Sequence, residues 1–281
     1  MKFVASIAPL QAAVDLLDNK AVVASKVRTK DWQNEDLDER MKLRAFWSAG
    51  VENVKFLDTA RLKMKSAVAL QREKVKRGEA FVDRSSFIGD MRKVAFAQGL
   101  GDGTGGLTDP TSRVRLGLIF DMQLRQMQGF AQRKIDLDPD VLDAFPAQEL
   151  YRAEERRQQR DWFARWQEAG NKVGWKGALQ DRMIALKTSP IWVEVSVFRR
   201  PWAPFDWGSG MDLRDVDRAE AEQIGLLAPG ADVPPVEGGD LTDSLEASVA
   251  GLSDLAIRTL KNLFGDRVSI TGDRARWRDA A

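Results

Sequence analysis

The chain has 281 residues, 43% of them hydrophobic and 30% charged, with 43 Lys and Arg against 42 Asp and Glu. That length suffices for one large domain or two ordinary ones, and the near-balanced charge provides no global field toward nucleic acid or membrane, so such partners must be met by a local patch. Cysteine and histidine are absent, which removes disulfides, thiolate nucleophiles, Ser-His-Asp and Cys-His arrangements and the usual histidine metal ligands.

Chemistry would have to rest on Asp, Glu, Lys, Arg, Ser or the single tyrosine, Tyr151. The expectation is a non-enzyme with no catalytic residue, cofactor, metal or small-molecule ligand. No apolar stretch approaches the ~20 residues of a membrane span, and the opening MKFVASIAPLQAAVDLLDNK lacks a basic n-region and a long h-region. A cytoplasmic chain without membrane contact is expected.

The spacing of Leu37, Met41, Arg44, Ala45 and Ser48 predicts a helix from about Asp36 to Ala49, broken by Gly50. A second helix is predicted from Glu52 to about Arg77, with Leu57, Met64, Val68 and Val75 on one face and Gly78 as its stop. Its other face carries seven cations, Arg61, Lys63, Lys65, Arg72, Lys74, Lys76 and Arg77, against the single acid Glu73. Two readings of this patch stay open: a contact for DNA or an acidic partner, or a solvated helix face. No aromatics interleave with the cations, which argues against single-strand stacking.

The stretch GLGDGTGGLTDP, Gly99 to Pro110, fits GxGxxG at Gly101, Gly103 and Gly106. A dinucleotide site needs a buried strand before the motif and a helix opening from it, and a P-loop needs Lys-Ser or Lys-Thr after it; this context provides neither. A flexible hinge is expected instead. Thr108 or Asp109 as cap and Pro110 in the first turn then introduce a helix over Thr111–Lys134, with Val114, Leu118, Phe120, Leu124, Met127 and Phe130 recurring at core spacing. Asp136, Asp138, Asp140 and Asp143 surround Pro139. Without the turn glycine and terminal acid of a calcium loop, they read as a turn and helix N-cap.

A long polar helix is predicted over Ala147–Ala169, with acids preceding bases along its axis. The pair Asp161 and Glu168 within it is about 10 Å apart on that helix, with nothing to mark a cleft. The alternation of IWVEVSVF over 191–198 predicts a strand. It leads into RRPWAPFDWGSGM, residues 199–211, where two prolines, three large aromatics and two glycines predict a rigid, non-helical aromatic loop. Pro201, Trp202, Pro204, Phe205, Trp207 and Gly210 are read as a structural clasp fastening that strand to a helix over 215–226 capped by Asp215 or Asp217. From Ala228 the Pro-, Gly- and acid-rich run reads as a linker, followed by a last helix and a short strand, DRVSITG.

The expected architecture is α+β and predominantly helical: a helical N-terminal unit over 1–98, the hinge over 99–110, an α+β core over 111–227 and a C-terminal extension over 228–281.

The order of these pieces resembles the phage Mu F-like minor head proteins of tailed bacteriophages, the head morphogenesis proteins. In that family a helix of the form RLRxIFxTNxRxxYAxG follows a Gly-rich stretch, and Arg113, Arg115, Leu116, Ile119, Phe120, Arg125 and Gly129 stand in corresponding places. The resemblance spans roughly residues 3 to 227, through the loop PWAPFDWGSGMDLRDVDRAEAEQIGLL. Met122, Gln123 and Met127 replace the Thr, Asn and Tyr of the pattern, and Trp207-Gly208-Ser209-Gly210 replaces a cysteine-containing turn, so no metal or nuclease activity is carried over. The resemblance implies a structural virion-head protein near the portal, with portal, major capsid or scaffold proteins and packaged DNA as partners. The alternatives are a carboxylate- and Mg-dependent nuclease or toxin-like domain attached to a phage module, and a nucleic-acid-binding protein using the basic helix over 55–77.

Overall fold

A computed structural model describes residues 7–24, 26, 39–77, 83–101, 103–175, 181–241, 246–249 and 254–278. The fold is α+β and predominantly helical. It divides into two compact units: residues 1–127 together with 242–281, and residues 128–241.

In the first unit, α1 (Ile7–Asp18) is followed by the two-residue strand β1 (Ala21–Val22), then α2 (Glu39–Leu43) and β2 (Ala45–Phe46), which pairs in parallel with β1. The helix expected over 36–49 is therefore one short helix and a strand, with Asp36–Asp38 outside the described residues. Ala45 and Phe46 are buried on both sides, and their backbone groups reach β1 instead of continuing a helical ladder. α3 (Val54–Arg77) and α4 (Arg84–Ala97) form as a helical pair; Asp83 caps α4 by accepting the Ser85 amide and the Ser86 hydroxyl. Phe56, Leu57, Ala60 and Met64 from α3, and Phe87, Ile88 and Met91 from α4, close a core with Phe46, Leu116 and Phe120.

The C-terminal residues belong to this same unit. β6 (Glu246–Ser248), α10 (Asp254–Phe264), β7 (Val268–Thr271) and β8 (Arg274–Trp277) form an antiparallel sheet of order β6-β8-β7 covered by one helix. Alternation along β8 buries Ala275 and Trp277 and exposes Arg274 and Arg276. Leu260, Phe264 and Trp277 pack with Val23, Met41 and Ala45 from the N-terminal segment.

The second unit is a three-stranded antiparallel sheet of order β4-β3-β5, made of β3 (Ala147–Arg152), β4 (Met183–Leu186) and β5 (Met211–Val216). This corrects the expected helix over 147–169. Its first six residues form the central strand, Ala153–Asp161 form a loop, and only α7 (Trp162–Val173) is helical. The central strand hydrogen-bonds on both edges, burying Ala147 through Leu150, and its acid Glu149 is answered by Arg182, just before β4, and Arg214 of β5 rather than one turn away. Asp161 accepts the Ala164 amide as the N-cap of α7, and exposed Glu168 pairs with Lys172.

The strand expected over 191–198 is also corrected. Ile191–Glu194 form one helical turn, α8, because Ile191, Trp192 and Val195 all point into the core at helical spacing. The Trp192 indole N–H donates to the Leu186 carbonyl. Residues 215–216, expected to open the helix over 215–226, instead end β5, and α9 (Arg218–Gln223) begins after Asp217, one of the two expected caps, which accepts the Glu220 amide. One face of the sheet packs Leu150, Ala185 and Met211 against Trp162, Trp166, Trp192 and Phe205; the other packs Ala147, Ile184 and Val216 against Ala221 of α9.

α5 (Arg113–Asp136) contains the boundary at 127/128. Ser112, rather than Thr108 or Asp109, caps it by accepting the Arg115 amide. α6 (Pro139–Ala144) follows, and of the four acids read as a turn and helix N-cap it is Asp138 that caps it, accepting the Asp140 amide.

Candidate functional site

The basic face of α3 is already engaged at its first turns. Arg61 donates to Asp58 at 2.9 Å and to the Asp18 carbonyl at 2.8 Å, while Lys65 reaches the Asp18 carboxylate at 2.7 Å. Both cations thereby satisfy the C-terminal end of α1, where orphan carbonyls and the helix dipole favour positive charge. Lys63 bonds Asp90 of α4 at 2.7 Å, and that hydrogen bond holds the Asp90 carboxyl below its usual range. The side chains of Arg72, Lys74, Lys76 and Arg77 lie outside the described residues.

The glycine-rich stretch is tied down rather than hinge-like, and it lies within the first unit. Asp109 is buried, and its two oxygens accept the Gly105 amide at 3.1 Å, the Thr111 amide at 2.7 Å and the Thr111 hydroxyl at 2.6 Å. The Ser112 hydroxyl donates to the Gly106 carbonyl. Arg115 holds the loop from below, donating to the Leu107 and Thr108 carbonyls at 3.2 and 3.1 Å and to Ser48 Oγ and the Ala49 carbonyl at 2.8 and 2.5 Å. Burial pushes the pKa of its guanidinium down, against the opposing charge of Asp109. Beside the loop opens a cavity of about 610 Å³, bordered by Arg92, Phe96, Leu100, Arg113 and Val114.

The aromatic loop of the second unit is a clasp on its own core. Trp202 meets Phe130 of α5 edge-on at 5.7 Å, and Phe205 stacks on Trp192 at 5.9 Å. Pro201 and Pro204 are buried, the latter after a cis bond from Ala203, and Trp207 is the exposed aromatic, edge-on to Phe198. Gly210 has φ +69, and its carbonyl accepts the Ala153 and Glu154 amides, closing the loop onto the end of β3. The elements joined differ from those expected: the clasp connects helical turn α8 to strand β5.

Two ionic groups in this unit gave no sequence signal. Arg133, 2% exposed, donates to Asp240 at 2.9 Å and to the Lys187 carbonyl at 2.6 Å. Lys187, fully buried, bridges Asp136 at 3.0 Å and Asp215 at 2.7 Å. The run read as a free acidic linker therefore ends in a buried anion. On the opposite sheet face, Glu149 accepts from Arg182 and from its cross-strand neighbour Arg214, each at 2.7 Å. Burial pushes the Glu149 pKa up, and the two guanidiniums outweigh it, holding the carboxyl below its ordinary value. Arg182 is raised by its hydrogen bonds to Glu149 and Glu220.

Among the described residues, no three acidic side chains gather as metal ligands, and no helix is long and apolar enough to cross a membrane. Comparison with protein-family models, curated proteins and solved structures finds no match.

Proposed function

We propose that this chain is a structural minor head protein of a tailed bacteriophage, of the phage Mu F-like kind, acting in head morphogenesis beside the portal. The observation supporting this reading is the meeting of the two stretches that carry the resemblance. At Gly129 of α5, the absence of a Cβ lets the Ala203 carbonyl and the Trp202 ring of the aromatic loop lie against the helix. Three other matched residues also serve the fold: Leu116 and Phe120 are core residues, and Arg115 has four acceptors. The end of the matched helix, within the second unit, thus packs on the loop, as expected if the pattern encodes a scaffold rather than a reaction centre.

In this role the chain joins portal, major capsid or scaffold proteins in the host cytoplasm and enters the head, close to packaged DNA. The test is to express the chain with the head genes encoded beside it, purify heads on a gradient and quantify it by mass spectrometry. Co-sedimentation at low copy number is expected, with at least a tenfold loss of DNA-filled heads when it is deleted. Heads that lack the chain, and that form and fill equally well after its deletion, would overturn the proposal.

A further inference from the structure

We propose that the cavity beside the glycine-rich loop of the first unit is a binding site for a phosphate monoester carrying an aromatic group, of the nucleotide type. This goes beyond the assembly reading and does not rest on it. The cavity, about 610 Å³, falls within the size range of small-ligand sites. It lies between two helices, α4 before the loop and α5 after it, so it is not the strand-based dinucleotide site excluded by the sequence.

Charge identifies the ligand class. Arg92 and Arg113 border the cavity, and neither has a hydrogen-bonded or ion-paired partner among the described residues. Other arginines of this unit differ: Arg61, Arg84 and Arg115 are each bonded to carboxylate or carbonyl oxygens. The Arg92 Nε is cut off from solvent with no acceptor, and an incoming oxyanion would supply the missing one. Asp109 also borders the cavity, but its oxygens accept from the Gly105 amide and from Thr111 rather than from either guanidinium, which leaves the described lining with two cations to one acid. Two guanidiniums without a bonded partner among the described residues suit the charge of about −1.5 to −2 on a phosphate monoester better than the single charge of a carboxylate, and their planar forks suit its oxygens.

The remaining wall is apolar and open. Phe96 is 60% exposed and Val114 59%, with Leu100 partly buried beside them, and together they offer an apolar wall to an organic group. The Arg92 guanidinium sits 5.6 Å from the Phe96 ring centre, which holds the cation at the edge of the aromatic surface. Gly101, at φ +121, keeps the loop low where a Cβ would strike Thr111 at 2.5 Å. The opening turn of α5, which starts at Arg113, adds to the positive field.

The experiment is calorimetric titration of the full chain with deoxyadenosine monophosphate, deoxyadenosine and inorganic phosphate. The monophosphate should bind at least tenfold tighter than the nucleoside. Arg92→Gln and Arg113→Gln should each weaken it at least tenfold with little change in circular dichroism or Tm, since neither side chain has a hydrogen-bonded or ion-paired partner among the described residues. Phe96→Ala should weaken the monophosphate but not inorganic phosphate. A 5′-phosphorylated oligodeoxynucleotide that binds tighter than its 5′-hydroxyl counterpart and competes with the monophosphate would identify a strand end as the source of the phosphate; equal binding of the two would identify the free nucleotide. A monophosphate that binds no better than the nucleoside, or binding indifferent to both arginine substitutions, would overturn the proposal.

Discussion

In the unit spanning 128–241, Arg133 and Lys187 lie beneath the surface, 2% and 0% exposed, with the Asp240 and Asp136 carboxylates buried beside them, whereas in the other unit the paired cations Lys63 and Lys65 keep about a third of their side-chain surface in water. The first arrangement joins distant segments, Arg133 to Asp240 and Lys187 to Asp136 and Asp215. The second adjusts helix ends that an apolar core already holds. Removing one member of a buried pair leaves an uncompensated charge, while removing a member of an exposed pair leaves a solvated one. The same kind of contact therefore carries different weight in the two units.

The sharpest way to break this contrast is Asp240→Ala. It strands the Arg133 guanidinium, which keeps only the Lys187 carbonyl, and should cost about 3–5 kcal/mol, read as an earlier urea midpoint for the 128–241 unit. The double variant Arg133→Met with Asp240→Leu should recover most of that loss. If Asp240→Ala melts like the parent, the buried pair does not hold the segment.

Gly129→Ala comes next. Its Cβ would be driven into the Ala203 carbonyl oxygen and the Trp202 ring. A backbone group in a packed loop cannot swing aside, so overpacking should cost roughly 1–3 kcal/mol, with a change in near-ultraviolet circular dichroism from the displaced tryptophan.

Glu149→Gln probes a site of intermediate burial, because Arg182 and Arg214 remain 38% and 56% exposed. The loss at neutral pH should be about 1–2 kcal/mol, the scale of a charge-assisted hydrogen bond. The sign of the pH effect follows from the depressed carboxyl. Its contribution is fully present above the unfolded glutamate pKa of about 4.3 and is lost as pH falls through the lower folded value. Parent and variant should therefore converge in urea stability on acidification from pH 6 to pH 3; a constant gap would mean that Glu149 acts by packing alone.

These residues also mark how far the sequence could be read. Helices α3 and α5 were legible because their apolar residues recur at three- and four-residue steps, and Asp138 and Asp217 were legible caps because capping is local. Glu149 was not, since its partners lie 33 and 65 residues away, and its run of acids followed by arginines mimics helical pairing. Residues 191–195 misled in the opposite direction: Val193, Val195 and Val197 recur at a period of two, whereas burial of Ile191, Trp192 and Val195 follows helical spacing. At the candidate site, Arg113 was visible as a matched residue, but the lack of a partner for Arg92 and Arg113 exists only once α4 and α5 are folded.

The smallest expected effect is the most discriminating, because it uses the same helix. Gly117→Ala places a Cβ where the Arg84 guanidinium now lies, as close as the clash at Gly129. Here the obstacle is the far end of a long side chain, whose partner Asp121 is 45% exposed. Arg84 can rotate away, surrendering an exposed pair worth less than about 1 kcal/mol. The helix meanwhile gains about 0.8–1 kcal/mol when alanine replaces an interior glycine. The net change should lie within about 0.5 kcal/mol of zero, and Arg84→Ala combined with Gly117→Ala should be no less stable than Arg84→Ala alone. A loss in Gly117→Ala as large as in Gly129→Ala would show that α5 is held as tightly by side chains in the first unit as by backbone in the second, and the contrast between the units would fail.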